Sequence, residues 1–289
     1  MKVEDLLKNL RKSKKKIYFL KNPGNRGDGL IYLSTKKAFS RYKTKYKEIK
    51  FPEKINGEIL IVSGGGAFSH AFHHMIGFLN FYIPCFDEIY ILPQSFDVSC
   101  YAVRKFLKKL PKKVKIFCRE KYSFKNVKKT VKYKENVFLD HDMAFHLNYK
   151  KWKKKGIGKL YSFRRDLEKS FLKIEKNDTN WDISEGTELQ GISFIKDIVE
   201  FEEVHSNRTH VAIAAAMLGK KTFVYPSNYF KQKAIYEFSL SHLSNVTWVN
   251  CEESRLLKSL FSYYVFIINI KYSIEDMLKK LGLKKSNKR

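Results

Sequence analysis

Arg208 and His210 stand two residues apart at the start of a helically spaced stretch, Thr209–Leu218, just after Val204-His205-Ser206-Asn207. The start of a helix presents unpaired N–H groups and the positive end of the helix dipole. A guanidinium and an imidazole beside it can hold a phosphate or carboxylate and deliver a proton close by. The alternative for His210 is a satisfied core histidine. Lys231 and Lys233 follow one strand later and can reach the same pocket. Arg119, with Glu120 and Ser123, follows another apolar run. Its planar fork can clamp an anion through two bonds, or can pair with acidic neighbours at the surface.

Two glycine elements face the same kind of ligand. Asn22-Pro-Gly-Asn25-Arg-Gly27-Asp28 joins a strand to a helix, and Gly64-Gly65-Gly66 follows the run Ile59–Val62. Glycines let a ligand or a second backbone approach without a Cβ in the way. The competing readings are a tight turn with Asp28 as helix N-cap, and a packing turn. Other groups carry less. His70 and His74 are four apart, a metal-compatible spacing on a helix, but no third ligand and no HExxH accompany them, so no metal is expected. Asp140, His141, Asp142 and His146 can cluster, although carboxylates at a strand end more often cap the next helix. Phe163-Arg164-Arg165-Asp166 with Glu168 reads as an ion network at a helix start, or as a second anion contact. The aromatic stripe Phe261–Phe266 reads as core.

These groups need strands to carry them. Short apolar runs at Ile17–Leu20, Ile49–Phe51, Ile59–Val62, Ile89–Leu92, Val114–Cys118 and Val137–Leu139 alternate with helical stretches at Leu30–Tyr42, Phe68–Asn80 and Val98–Leu110. That alternation predicts βαβ units on a parallel sheet, with ligand groups just after the strands. The polar stretch Asn177–Gly191 separates this part from a second α/β unit. There the pattern predicts helices at Phe194–Phe201, Thr209–Leu218 and Lys231–His242, and strands at Glu203–His205, Thr222–Tyr225 and Val246–Val249. Residues Glu252–Leu283 read as mostly helical, followed by a basic tail.

Composition bounds the function. The 289 residues carry 57 Lys+Arg against 29 Asp+Glu, a formal charge of +28. The chain is 44% apolar and 15% aromatic, so the charge lies over a real core, and disorder and coiled coil are excluded. Only 10 of the basic residues are Arg. Nucleic-acid readers favour Arg. The dispersed lysines therefore read as a solvated surface whose field draws in anionic ligands. Cys85, Cys100, Cys118 and Cys251 form no CxxC, which argues against a zinc ribbon or a disulfide framework and for a reducing cytosol. The longest apolar run, Phe261–Ile270, is too short for a membrane span, which needs about 20 residues. The chain is expected to be soluble and cytoplasmic, or peripheral to a membrane.

Taken in order, six elements resemble the polysaccharide pyruvyl transferase family. They are Asn25-Arg-Gly27-Asp28, Gly64–Gly66, Leu92-Pro-Gln94-Ser95-Phe96, Arg119-Glu-Lys-Tyr-Ser123, Phe163-Arg164-Arg-Asp166-Leu-Glu168 and Arg208-Thr-His210. The resemblance implies two Rossmann-like parallel-sheet domains facing a cleft, similar to GT-B glycosyltransferases. On it, residues 1–150 form the acceptor-side domain, 151–270 the donor-side domain, and 271–289 a terminal helix and basic tail. It implies pyruvyl transfer from phosphoenolpyruvate to two sugar hydroxyls, with no cofactor beyond the donor. Arg119, Arg208 and Lys233 or Lys231 would hold the donor, and His210 would act as acid. Asn25, Gly27, Asp28 and Gly64–Gly66 would face the glycan acceptor, with Gln94, Ser95 and Arg164 as further substrate contacts. The alternative is a glycosyltransferase with a nucleotide-sugar donor. A nucleic-acid module is the third reading, and no reader motif supports it.

Overall fold

A computed structural model describes residues 1–166, 168, 180–228, 230–251, 267, 269, 270 and 274. The expected helix over Glu252–Leu283, the stripe Phe261–Phe266 and the basic tail therefore lie largely outside the described residues.

The chain is α/β with two parallel sheets. The first has seven strands: β1 (Ile17–Leu20), β2 (Lys47–Ile49), β3 (Gly57–Val62), β4 (Gly65–Phe68), β5 (Phe86–Phe96), β6 (Val114–Cys118) and β7 (Val137–Leu139). Their order is β2-β1-β3-β5-β6-β7, with β4 paired to the far end of β5 through Gly65–Gln94 and Phe68–Phe96. Leu60, Ile61 and Val62 are wholly buried, as expected where helices cover both faces of a parallel sheet. The second sheet holds β8 (Lys159–Ser162), β9 (Glu203–Ser206), β10 (Lys221–Val224) and β11 (Val246–Trp248), in the order β11-β10-β9-β8.

The helices are α1 (Val3–Lys12), α2 (Arg26–Arg41), α3 (Met75–Tyr82), α4 (Tyr101–Lys108), α5 (Lys121–Thr130), α6 (Gly191–Val199), α7 (Thr209–Met217) and α8 (Lys231–Ile235), which runs on as a π-helix over Tyr236–Leu240. Several boundaries depart from the sequence pattern. The predicted helix Phe68–Asn80 is a strand at its start: the glycines lie flat against β5, and α3 begins only at Met75. The predicted strand Ile49–Phe51 sits earlier, as β2. Helix α2 starts four residues before Leu30, because Asn25 accepts from Gly27 N at 2.8 Å while Asp28 Oδ2 accepts from Asn25 N at 3.0 Å. This reciprocal cap makes Asn25, not Asp28, the N-cap.

Several elements carried no sequence expectation, among them α5, α1 and β8. In α1, Val3, Leu6, Leu7 and Leu10 repeat at helical spacing and pack with Phe19, Ile31 and Phe39. Strand β8 precedes the polar 177–191 stretch, so that stretch interrupts the second unit instead of separating the two. Its described part is built in: Ile183 is wholly buried, and Asp182 and Ser184 are nearly so. Helix α2 ties the two units. Leu30 joins the core of the second sheet, and a Cβ on Gly191 would lie 2.3 Å from the Gly29 carbonyl oxygen.

Candidate active site

The groups named from the sequence gather after the strand ends, around a cavity of about 420 Å³ whose wall includes Asn25, Asp28, Arg119, Arg164, Arg208, His210 and Lys231. Residues that follow strands of both sheets contribute. The backbone leaving β6 delivers Arg119, and the turn after β9 delivers Arg208 and His210 on the first turn of α7.

Arg119 is 1% exposed. Its Nε donates to Ser95 Oγ at 2.8 Å and its Nη1 to Asp142 Oδ2 at 2.7 Å. Its Nη2 makes no hydrogen bond among the described residues. His210 Nε2 stands 3.4 Å from Arg119 Nη1 and 3.5 Å from Asp142 Oδ2. Burial alone would raise the Asp142 carboxyl. The His210 contact and the Arg119 charge outweigh burial and hold that carboxyl well below the usual carboxylate range. Asp142 Oδ1 accepts from Ala144 N at 2.8 Å, so one carboxylate both caps the Met143–His146 turn and orients two cavity groups.

A second ionic cluster also lines the cavity. Arg208 grips Asp182 through Nε, at 2.9 Å, and Nη2, while its Nη1 reaches Asp166 Oδ2 at 2.7 Å. Arg164 binds both oxygens of Asp166, at 2.9 and 3.0 Å, and also pairs with Glu168. Lys231 Nζ donates to Glu168 at 2.6 Å. Burial pushes the Lys231 ammonium down to about 8, helped by the Arg164 and Arg119 charges and opposed by Glu168. Four cations thus meet four carboxylates, as buried charges require. The site is not the bare positive funnel that the net charge suggests.

Two glycines make room for these side chains. A Cβ on Gly66 would lie 3.2 Å from Arg119 Nη2 and 3.4 Å from Lys231 Nζ. A Cβ on Gly27 would lie 2.7 Å from His210 Nδ1. Gly27 therefore seats the imidazole instead of lining the cavity. Gly64 and Gly65 also lie off the wall, against Pro93 and Asn22, and Gly65 takes a φ of +144°. Gln94 is buried and donates to Ser63 O at 2.9 Å, and Ser95 orients Arg119. Both act behind the wall. Lys233 points away: its side chain is 65% exposed and lies 3.9 Å from Glu237, so Lys231 is the lysine of the pair at the cavity.

The turn His70–His74 is not helical, which removes the metal spacing. His70 Nε2 lies 3.1 Å from Ser99 Oγ, and His74 Nε2 lies 2.8 Å from Asn22 Oδ1 at the cavity mouth. Among the described residues no group of three or more His, Cys, Asp or Glu is placed to hold a metal ion. Sequence reasoning missed the pairing of Asp142 with Arg119 and His210, and missed Asp182 altogether. The only signal for Asp142 was its place after a strand, where a capping role was the favoured reading.

Three comparisons bear on this geometry. The structure is similar to the crystal structure of a functionally uncharacterized protein from Klebsiella pneumoniae, with 29% sequence identity and a TM-score of 0.72 over 86% of this chain and 97% of that one. No curated protein matches the chain. The family described as polysaccharide pyruvyl transferase matches residues 25–229, a span that runs from the cap of α2 past His210 and ends just before α8. With most of its length and most of its cavity lining inside that match, the chain belongs to the polysaccharide pyruvyl transferase family, a family of glycan-modifying transferases.

Proposed function

We propose that this chain transfers a pyruvyl group from phosphoenolpyruvate to two hydroxyls of one sugar, forming a cyclic ketal and releasing phosphate. The observation that carries the reading is the buried Arg119–Asp142 pair holding His210 beside a cavity that also receives Lys231. It sets anion-binding groups and a proton carrier around one small volume.

In this reading Arg119 Nη2 and Lys231 Nζ, which both border Gly66, take one anionic end of the donor. The first turn of α7 takes the other. His210 gives a proton to the donor's methylene carbon C3, which becomes the methyl group. The first sugar hydroxyl adds at C2, the C2–O bond to phosphate breaks, and the second hydroxyl closes the ketal. One hydroxyl proton returns to His210, and the other leaves with phosphate. Asn25 and Asp28 face the acceptor. No cofactor or metal enters this scheme. The two sheets then act as GT-B-like halves on either side of the donor. The thiols of Cys85, Cys100 and Cys118, which form no disulfide among the described residues, support work in the cytoplasm.

Isothermal titration with phosphoenolpyruvate and with UDP- and GDP-sugars tests the donor. Phosphoenolpyruvate is expected to bind and nucleotide sugars to fail. Binding of nucleotide sugars alone would overturn the pyruvyl reading.

A further inference from the structure

The second sheet has a second edge, rich in lysine. Its strands are parallel, so the cavity lies beyond their C-terminal ends, and the loop entering β8 lies at the opposite edge. Residues 150–159, KKWKKKGIGK, hold six lysines and no acid. All six lysines are exposed. Lys154 pairs with Glu200, and Lys159 with Glu203. Lys150, Lys151, Lys153 and Lys155 make no ion pair among the described residues. Exposed Lys221, at the start of β10, extends the basic face.

At the tip stands Ile157, 85% exposed, more than any other large hydrophobic side chain among the described residues. The loop is not slack. Ile157 N donates to Glu200 O at 2.8 Å, and Gly158 O accepts from Glu202 N and Glu203 N at 3.1 and 3.2 Å. Gly156 is buried, and a Cβ there would lie 2.2 Å from the Phe201 backbone. The backbone on both sides of Ile157 is pinned, and its side chain is held outward. Half-buried Trp152 lies beneath Lys151 Nζ, 4.2 Å from its ring centre.

A nucleic acid or acidic glycan would satisfy the lysines and leave Ile157 with nothing to meet. A bilayer with anionic headgroups answers both features: ammonium groups meet lipid phosphates, and an aliphatic tip enters the acyl boundary below them. We propose that the 150–159 loop docks this protein on anionic membranes, with its lysines on the headgroups and Ile157 inserted. The assignment is independent of the donor that the cavity takes.

Sedimentation of the full chain with phosphatidylcholine vesicles, with and without phosphatidylglycerol, tests it at physiological salt. The wild type is expected to bind only the anionic vesicles. Ile157→Ser should lower the partition about tenfold, the loss expected when one buried aliphatic side chain is removed. K151E/K153E/K155E should abolish binding, while K45E/K54E/K112E, which removes equal charge elsewhere, should leave most of it. An I157S partition equal to wild type, or equal losses in the two charge variants, would overturn the proposal, because binding would then belong to the overall charge. As a second readout, Ile157→Trp should gain blue-shifted emission on anionic vesicles, and an unshifted spectrum counts against insertion.

Discussion

The imidazole of His210 occupies the space that a side chain on Gly27 would fill, with Nδ1 2.7 Å from where a Cβ would stand. A residue on the first turn of α2 thus sets the position of one on the first turn of α7. Gly27→Ala should push the imidazole off Arg119 and Asp142. Because a shift of about 1 Å in a reacting group can cost on the order of 10²-fold, ketal formation should fall by about that factor. A thermal melt should change little, since the ring can swing toward the cavity. Unchanged turnover in G27A would show that the contact does not position His210.

His210→Ala removes the proposed acid. Turnover should fall by about 10²–10⁴-fold, the usual worth of a positioned acid, while phosphoenolpyruvate still binds in a calorimeter. Full activity in this variant rejects the assigned role.

Asp142→Asn leaves the buried Arg119 charge without its partner. Breaking one side of such a pair costs about 3–5 kcal/mol, so the urea midpoint should drop sharply at neutral pH. The acid side follows from the depressed carboxyl. Its folded value lies below its unfolded one, so its contribution is complete above about pH 4 and fades as pH falls from there. Denaturation curves at pH 7 and pH 3 should therefore differ less in D142N than in wild type. Parallel pH dependence in the two proteins would contradict the pairing.

Lys231 and Lys233 separate cleanly. With the Lys231 ammonium pushed down to about 8, donor affinity should weaken as pH rises through that value. Lys231→Met should weaken binding at pH 7 and remove this dependence. Lys233→Met should leave both as they are, because its side chain faces solvent. Equal effects in the two variants would refute the assignment to Lys231.

The strand pattern was legible because buried parallel strands such as Ile59–Val62 leave an unbroken apolar run. Strand β8 was not, because Lys-Leu-Tyr-Ser shows one inward Leu160 in a basic stretch. The start of α2 was hidden by Arg26-Gly-Asp-Gly, four residues that read as loop and become helix only through the reciprocal cap. In the site, the sequence named the cations and grouped Arg164 with Asp166 and Glu168, but could not show the partners of Arg208 and Arg119. Asp182 lies 26 residues from Arg208, and Asp142 lies 23 from Arg119, separations at which no local spacing rule operates. Lys231 and Lys233 differ only in which side of α8 faces the cavity, and that is decided by Glu168.

The backbone contact between Gly29 and Gly191 has a bearing on redesign. The first turn of α2, which the proposed reaction assigns to the acceptor, continues into Gly29, which fits against the first residue of α6 with no side chain between them. Grafting residues 24–30 from a relative to change sugar preference would place a foreign surface on that seam. A transplant of acceptor range should therefore carry residues 186–191 with it, as one exchangeable cassette drawn from two distant parts of the chain.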